Sequence, residues 1–211
     1  MSRAIFLGSF NPPHKGHYEV IKSVINSGIM SKFDISKIHV IPCCQNPNKN
    51  KFTVSYIDRY KMTQYMFDDL IREGLVYIDD IEEEMCPTYT YELIRHFNTG
   101  RDLYINKHKE GFWWIITTET LNEIIERKWK NSEELLFNNN FIVVYRKGEL
   151  LDKYNHMLQD GKLYAFFVEL EHEYNFHSTD IREKAKRGES IEKETCDRID
   201  YFYRKENNIY K

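Results

Sequence analysis

Short apolar runs alternate with longer amphipathic segments along this chain, and the alternation predicts strands separated by helices. Each run is bounded by polar or turn-forming residues, which is the pattern of a buried strand. The predicted strands are residues 4–8, 37–42, 76–79, 112–116, 141–145 and 163–168.

Apolar residues at helical spacing between these runs predict the connecting helices. Ser55 is a suitable N-cap for the second helix, and either Ser178 or Thr179 for a later one that Gly188 would end. We therefore expect an α/β fold with a Rossmann-like, doubly wound, mostly parallel sheet and helices on both faces. We also expect a single domain over residues 1–211 with 176–211 as its C-terminal helical part. The predicted helices span about residues 16–27, 55–68, 93–97, 121–127, 132–137, 178–186 and 191–206.

The loop after the first strand carries the strongest indication of chemistry. Two prolines prevent a helix until about Gly16, so the sequence predicts a strand, a tight loop and then a helix. His14 and His17 fall at the N-terminus of that helix, where unpaired backbone N–H groups and the helix dipole attract anions. Gly8 allows the backbone to approach a ligand closely. The pattern favours a phosphate site, and a proline turn with two solvated histidines is the alternative.

A second helix entrance is predicted at residues 176–182. Ser178 and Thr179 offer hydroxyl groups there, and Arg182 lies one turn into the helix on the face near Ser178. Hydroxyls, a guanidinium and backbone N–H groups together would bind an anion. The alternative interpretation of the same residues is an ordinary N-cap beside a solvated arginine. Lys49, in a polar loop after the second strand, faces either phosphate or solvent.

The composition narrows the class of partner. A chain of 211 residues that is 41% hydrophobic can bury a substantial core. The formal net charge of -3 argues against a surface for nucleic acid. Because no apolar stretch approaches membrane-spanning length and no signal peptide opens the sequence, we expect a cytoplasmic protein without a membrane partner.

The cysteines form no Cys-x-x-Cys pair and are expected to be reduced thiols: Cys43, Cys44, Cys86 and Cys196.

The segment from Gly8 to His17 resembles the G-x-F-x-P-P-H-x-G-H element of the nucleotidyltransferase superfamily. Over most of its length the chain is similar to the nicotinate-mononucleotide adenylyltransferase family within that superfamily. Residues 178–182 resemble the family's I-S-S-T-x-I-R element, which the resemblance implies binds ATP phosphates together with the histidine loop.

Two further segments resemble the family's pyridine-binding elements. Residues 87–90 are similar to its S-Y-T segment, and residues 129–135 to its W-x-x-W-x-E-L segment, whose first tryptophan would stack on the ring. One departure is Thr117-Thr118-Glu119, which stands where the family commonly has Gly-Ala-Asp. Arg59 matches the family's spacing after the second strand; a simple surface charge is its alternative.

The resemblance implies an adenylyltransferase of NAD biosynthesis, which joins nicotinate or nicotinamide mononucleotide to the AMP moiety of ATP and releases pyrophosphate. Mg²⁺ would be bound mainly through the ATP phosphates, without protein metal ligands, and a homo-oligomer is one option for the assembly. ATP would be bound by Gly8, Ser9, Phe10, His14, His17, Ser178, Thr179 and Arg182, of which His14, His17 and Arg182 would act in catalysis. The mononucleotide would be bound by Lys49, Arg59, Tyr89, Thr90, Glu119 and Trp129.

Several alternatives share these features. Pantetheine-phosphate adenylyltransferases and CTP-dependent cytidylyltransferases use the same histidine loop, although the former usually lack the segments around Tyr89 and Trp129. A non-catalytic nucleotide sensor is suggested by the altered Thr117-Thr118-Glu119 segment. A metal site at His14 and His17 is disfavoured, because no carboxylate or thiolate partner lies at ligand spacing.

Overall fold

The computed structural model describes residues 2–45, 54–86, 89–98 and 112–206. In these residues a six-stranded sheet has the order β3-β2-β1-β4-β5-β6, and the pairs β1/β4, β4/β5 and β5/β6 are parallel. This is the strand order of a Rossmann-like, doubly wound α/β fold, which confirms the predicted class. The strands are β1 Ser2–Gly8, β2 Ile35–Pro42, β3 Val76–Ile78, β4 Phe112–Thr117, β5 Asn140–Tyr145 and β6 Tyr164–Glu169.

Helices occupy most of the connections between the strands. Several consist of a single turn or little more, and a 3-10 turn at Asp152–Tyr154 and a π-helix at Phe202–Glu206 accompany them. The α-helices are α1 Lys15–Asn26, α2 Ile29–Lys32, α3 Tyr56–Met66, α4 Asp68–Arg72, α5 Ile81–Glu84, α6 Thr90–Asn98, α7 Thr118–Ile125, α8 Ser132–Asn138, α9 Asn155–Gln159, α10 Ser178–Lys186 and α11 Asp197–Tyr201.

The chain divides into two compact units. The first comprises Met1–Phe6, Val20–Ile38 and Tyr89–Glu171, and the second comprises Leu7–Glu19, His39–Thr88 and His172–Lys211. In the first unit, β4 and β5 are buried along nearly their whole length, as expected of central strands in a parallel sheet.

All six predicted strands are present, with ends displaced by no more than two residues. Ser55 caps α3 as predicted, because its hydroxyl accepts a hydrogen bond from the Asp58 N–H at 3.1 Å. The prediction of one helix over residues 191–206 is wrong, since the α-helix there is only Asp197–Tyr201 and continues as the π-helix. The connection from β5 to β6 holds α9, which the apolar pattern missed.

The expectation of reduced thiols is wrong for two of the four cysteines. Cys44 and Cys86 form a disulfide, with Cα atoms 5.7 Å apart and a sequence separation of 42. Cys43 and Cys196 lie outside that bond. Motifs such as Cys-x-x-Cys identify only pairs of cysteines that are close in the sequence. This pair is far apart in the sequence and is brought together by the fold of the second unit.

None of the helices in the described part of the chain combines the length and the apolar character that crossing a bilayer requires.

Candidate active site

The loop after β1 is shaped by the contact between Gly8 and Phe10. A Cβ atom at Gly8 would lie 2.7 Å from the Phe10 ring, so only glycine leaves room for that ring. Phe10 has a φ of 43° and only 1% of its surface exposed. Its ring meets the His17 ring edge to face, with centroids 5.0 Å apart. The Phe10 side chain therefore packs against His17, and Phe10 itself could contact a ligand only through its backbone.

The two histidines form a reciprocal cap at the start of α1. The Nδ1 atom of His14 accepts a hydrogen bond from the Gly16 N–H at 3.2 Å, and the Nδ1 atom of His17 accepts one from the His14 N–H at 3.2 Å. This resembles a capping box with imidazoles in place of the usual hydroxyl and carboxylate, except that the first ring bonds the second helical N–H rather than the third. Because Nδ1 is the acceptor in each neutral ring, Nε2 carries the proton and acts as a donor.

Both imidazoles are held in the neutral form. Burial lowers the pKa of His14 to about 4, with a smaller contribution from His177. Burial also lowers the pKa of His17 well below its usual value, and the neighbouring His14 adds to this shift. The ring centroids are 3.8 Å apart. At neutral pH the pair therefore presents two N–H donors rather than two cations.

Gly16 is needed for the placement of the first ring. A Cβ atom at this position would lie 3.0 Å from both Cε1 and Nδ1 of His14. That distance is shorter than an ordinary van der Waals contact, so a side chain would displace the ring. The glycine between the two histidines is thus explained by packing against the His14 ring.

The second predicted entrance lies beside the first. The Ser178 hydroxyl donates to the Pro12 carbonyl at 3.0 Å, and Nη1 of Arg182 donates to the Asn11 carbonyl at 2.8 Å. The other terminal nitrogen of Arg182 donates to the Thr179 hydroxyl at 3.0 Å. The two helix starts therefore lie side by side, and their joint binding of ATP phosphates stays a prediction.

The predicted cap of α10 is wrong. His177 occupies the N-cap position without a side-chain hydrogen bond, and Ser178 and Thr179 are the first residues of the helix. The Ser178 hydroxyl is used instead to bond the histidine loop. Gly188, with a φ of 77°, follows the end of the helix as predicted.

Sequence reasoning missed the contribution of residues 192–194. The backbone N–H of Lys15 donates to the Glu194 carbonyl at 2.9 Å, and its ammonium donates to the Lys193 carbonyl at 2.8 Å. These bonds fasten the first turn of α1 to the chain beyond α10. A contact over so long a sequence separation leaves no local pattern that could have revealed it.

The expectation that Arg59 contacts the mononucleotide is corrected by its burial. Its side chain has no exposed surface. Its guanidinium donates to three backbone carbonyls, those of Ser9 at 2.8 Å, Cys43 at 2.6 Å and Cys44 at 2.7 Å. Arg59 thus ties the loop after β1 to the loop after β2 and has a structural role.

The residues predicted for the pyridine ring lie in the first unit. Tyr89 precedes α6, and its N–H donates to the Glu92 carboxylate at 3.1 Å. Trp129 donates from Nε1 to the Glu123 carboxylate at 2.9 Å. Its ring meets the Trp114 ring edge to face at 5.9 Å. These contacts fix the orientation of the half-buried Trp129 indole.

The altered segment after β4 forms an ordinary helix start. The Thr117 hydroxyl caps α7 by accepting from the Thr120 N–H at 3.4 Å, and Thr118 is buried. Glu119 is exposed and forms an ion pair with Arg146 at 3.5 Å. Lys49, the remaining predicted contact, lies outside the described residues.

Lys130 is a candidate that sequence reasoning passed over. Its ammonium lies 3.8 Å from the centroid of the Tyr89 ring and 5.4 Å from that of Tyr91. The lysine therefore links the segment before α6 to the segment that contains Trp129. Only its position beside the tryptophan could have pointed to it.

The fold and this histidine-capped helix start define a nucleotidyltransferase. The chain belongs to the cytidylyltransferase-like family, whose profile matches residues 5–184. Among curated relatives it is similar to the probable nicotinate-nucleotide adenylyltransferase of Sulfurovum sp. (strain NBC37-1), with 30% identity over 182 residues that cover 86% of this chain and 83% of the relative. It is also 29% identical over 198 residues to the protein of the same name from Clostridium tetani, covering 90% of this chain and 89% of the relative.

A solved structure supports the fold. The nicotinic acid mononucleotide adenylyltransferase of Plasmodium falciparum, complexed with NaAD, has a TM-score of 0.75 to this chain at 19% identity. The match covers 100% of this chain and 98% of that one.

Proposed function

We propose that this chain is a nicotinate-nucleotide adenylyltransferase, which transfers the AMP moiety of ATP to the phosphate of nicotinate mononucleotide and releases pyrophosphate. The proposal is carried by the two joined helix starts, where Arg182 and Ser178 bond the carbonyls that precede the histidine pair. The names of the curated relatives supply the substrate.

The donors of the second unit suit a triphosphate. The Nε2–H groups of His14 and His17 and the start of α1 would bind the α- and β-phosphates, together with Ser9 and the backbone near Gly8 and Phe10. The attacking phosphate is already anionic, so the reaction needs no strong general base. Neutral imidazoles fit this requirement, because they stabilise developing charge by donating hydrogen bonds and need not transfer a proton.

The second helix start would hold the leaving pyrophosphate. Arg182 supplies a guanidinium, and Ser178 and Thr179 supply hydroxyls one turn away. Imidazoles, hydroxyls and a guanidinium are poor ligands for Mg²⁺, which prefers oxygen atoms that carry negative charge. We therefore propose that Mg²⁺ is bound mainly by the phosphate oxygens of ATP, where it would neutralise part of their charge.

The mononucleotide would use residues of the first unit. Trp129 offers an indole of fixed orientation for stacking on the pyridine ring, and Tyr89 and Thr90 lie at the start of α6. Glu119 is a weaker candidate, because its carboxylate is paired with Arg146 on the surface. Lys49 remains a prediction from the sequence.

The test is pyrophosphate release from ATP with each candidate acceptor in turn. We expect release with nicotinate mononucleotide and none with pantetheine phosphate, and we expect CTP not to replace ATP. Binding of ATP without release in the presence of any acceptor would favour a nucleotide sensor and overturn the proposed reaction.

A further inference from the structure

The position of Lys130 suggests how the pyridine substituent is recognised. Its ammonium lies on the face of the Tyr89 ring, at 3.8 Å from the centroid, and within 5.4 Å of the Tyr91 centroid. Aromatic faces attract a cation without neutralising it. The two tyrosines therefore hold the ammonium in place without neutralising it, and the Tyr91 side chain also forms a hydrogen bond with it.

The acidic residues nearby are engaged by other donors. Glu92 accepts hydrogen bonds from the Tyr89 N–H at 3.1 Å and the Tyr91 hydroxyl at 2.9 Å, and Glu123 accepts from Trp129. Within the ranges that the structure describes, no carboxylate forms an ion pair with Lys130.

Trp129 and Lys130 are adjacent in the sequence, and Tyr89 contacts the second of them. Lys130 thus contacts one of the residues that the proposed function assigns to the pyridine ring and directly follows the other in the sequence. Nicotinate and nicotinamide mononucleotides share the ring, the ribose and the phosphate. They differ at one substituent, which is an anionic carboxylate in the first and a neutral carboxamide in the second.

We propose that Lys130 is a specificity-determining residue that binds the pyridine carboxylate and makes the enzyme prefer nicotinate over nicotinamide mononucleotide. The inference rests on the proposed function. An ion pair with the ligand stabilises only the acidic substrate, whereas stacking on Trp129 stabilises both. Discrimination by this residue is therefore electrostatic and independent of ring shape.

The decisive variant is Lys130→Met, which keeps the apolar stem and removes the charge. We expect kcat/KM for nicotinate mononucleotide to fall about fivefold to tenfold, as for a partly exposed charge-assisted contact, while kcat/KM for nicotinamide mononucleotide stays within about twofold. Lys130→Arg should retain most of the preference. Titration calorimetry of each mononucleotide without ATP should give the same selective loss in affinity.

Lys128→Met is the matched control, because that lysine is exposed, lies two positions away and pairs with Glu126 at 2.6 Å. It should leave both substrates unaffected. Equal losses for the two mononucleotides in Lys130→Met, or no loss for either, would overturn the inference while leaving the proposed function intact. A wild-type enzyme that releases no pyrophosphate with either mononucleotide would overturn both.

Discussion

His14 and His17 each use one ring nitrogen to cap α1 and present the other as a donor. The Nδ1 atoms accept backbone N–H groups at 3.2 Å, so the cap also determines which tautomer is present. The sequence predicted the location of the two rings at a helix start. It could not predict their tautomers or neutral state, because both depend on burial and on the path of the backbone.

Replacing His17 should affect catalysis far more than folding. His17→Ala removes one preorganised donor, and we expect turnover to fall about a hundredfold or more. It also removes the acceptor for the His14 N–H, which should lower the free energy of unfolding by about 1 kcal/mol. Pyrophosphate release and thermal melting measure the two effects.

His156→Ala is a suitable control for that experiment, since His156 is exposed and pairs with Asp160 at 3.3 Å. It should retain normal turnover. A His17→Ala enzyme with nearly normal turnover would exclude the proposed catalytic role.

Glu82 introduces a pH dependence of stability. Its side chain is buried, and burial raises its pKa to about 7, although the hydrogen bond from the Cys44 N–H and the Arg59 charge act in the opposite direction. Between pH about 4.5 and 7 the native state therefore retains a proton that the unfolded state releases. The contribution of protonated Glu82 to the free energy of unfolding is complete below this range and is lost as the pH rises through about 7.

Glu82→Gln should remove that dependence, because the amide cannot ionise. We expect the stability of the variant relative to the wild type to increase from pH 5 to pH 8, as measured by urea unfolding midpoints. The exposed neighbour provides the matched control, Glu83→Gln. If the difference in urea midpoint between Glu82→Gln and the wild type stayed constant from pH 5 to pH 8, this carboxyl would not be neutral in the folded protein.

At the scale of elements, strands were more predictable than helices. β4 and β5 are buried along nearly their whole length, so their sequences are continuous apolar runs. Short helices such as α2 and α9 carry too few residues for a periodic pattern. The start of α7 was placed too late, because Thr118 looks polar in the sequence although it is buried behind the Thr117 cap.

The candidate site, too, was predictable only in part. The histidine loop and α10 were predicted from the residues at two helix starts, and the structure joins them. The role of Arg59 was not predictable, since its partners are backbone carbonyls whose positions the sequence does not encode locally. Lys130 was missed for a related reason, because its aromatic partners precede it by about forty positions.

Removing the guanidinium at the start of α10 should impair the use of ATP. Arg182→Ala loses the bonds to Asn11 and Thr179 and the charge proposed to hold the leaving phosphates, so we expect the KM for ATP to rise about tenfold. Steady-state kinetics with varied ATP measure the change. Arg187→Ala, at the exposed end of the same helix, should have no effect, and unchanged ATP saturation in Arg182→Ala would count against the proposed contact.

At the scale of the molecule, the disulfide between Cys44 and Cys86 closes a long loop within the second unit. Its sequence separation is 42. A cross-link over that length restricts the unfolded chain and is expected to stabilise the protein by roughly 4 kcal/mol in the chain-entropy model. It also anchors the segment whose carbonyl groups bond Arg59.

Cys86→Ser and chemical reduction of the wild type should therefore lower the melting temperature by the same amount. Reduction should not change the melting temperature of the variant further. Cys196→Ser, outside the disulfide, should respond to reduction as the wild type does, and peptide mapping without reductant should recover the linked pair. Four reactive thiols in the denatured, unreduced protein would show that the bond is absent.

The bonds from α10 to the histidine loop span 166 and 171 positions of the sequence. During translation, the first half of the phosphate site leaves the ribosome long before the second half has been made. A nascent chain that stalls before Ser178 would carry the complete histidine motif without the helix start that is proposed to hold the departing pyrophosphate. Incomplete products of synthesis should accordingly lack the proposed transfer activity.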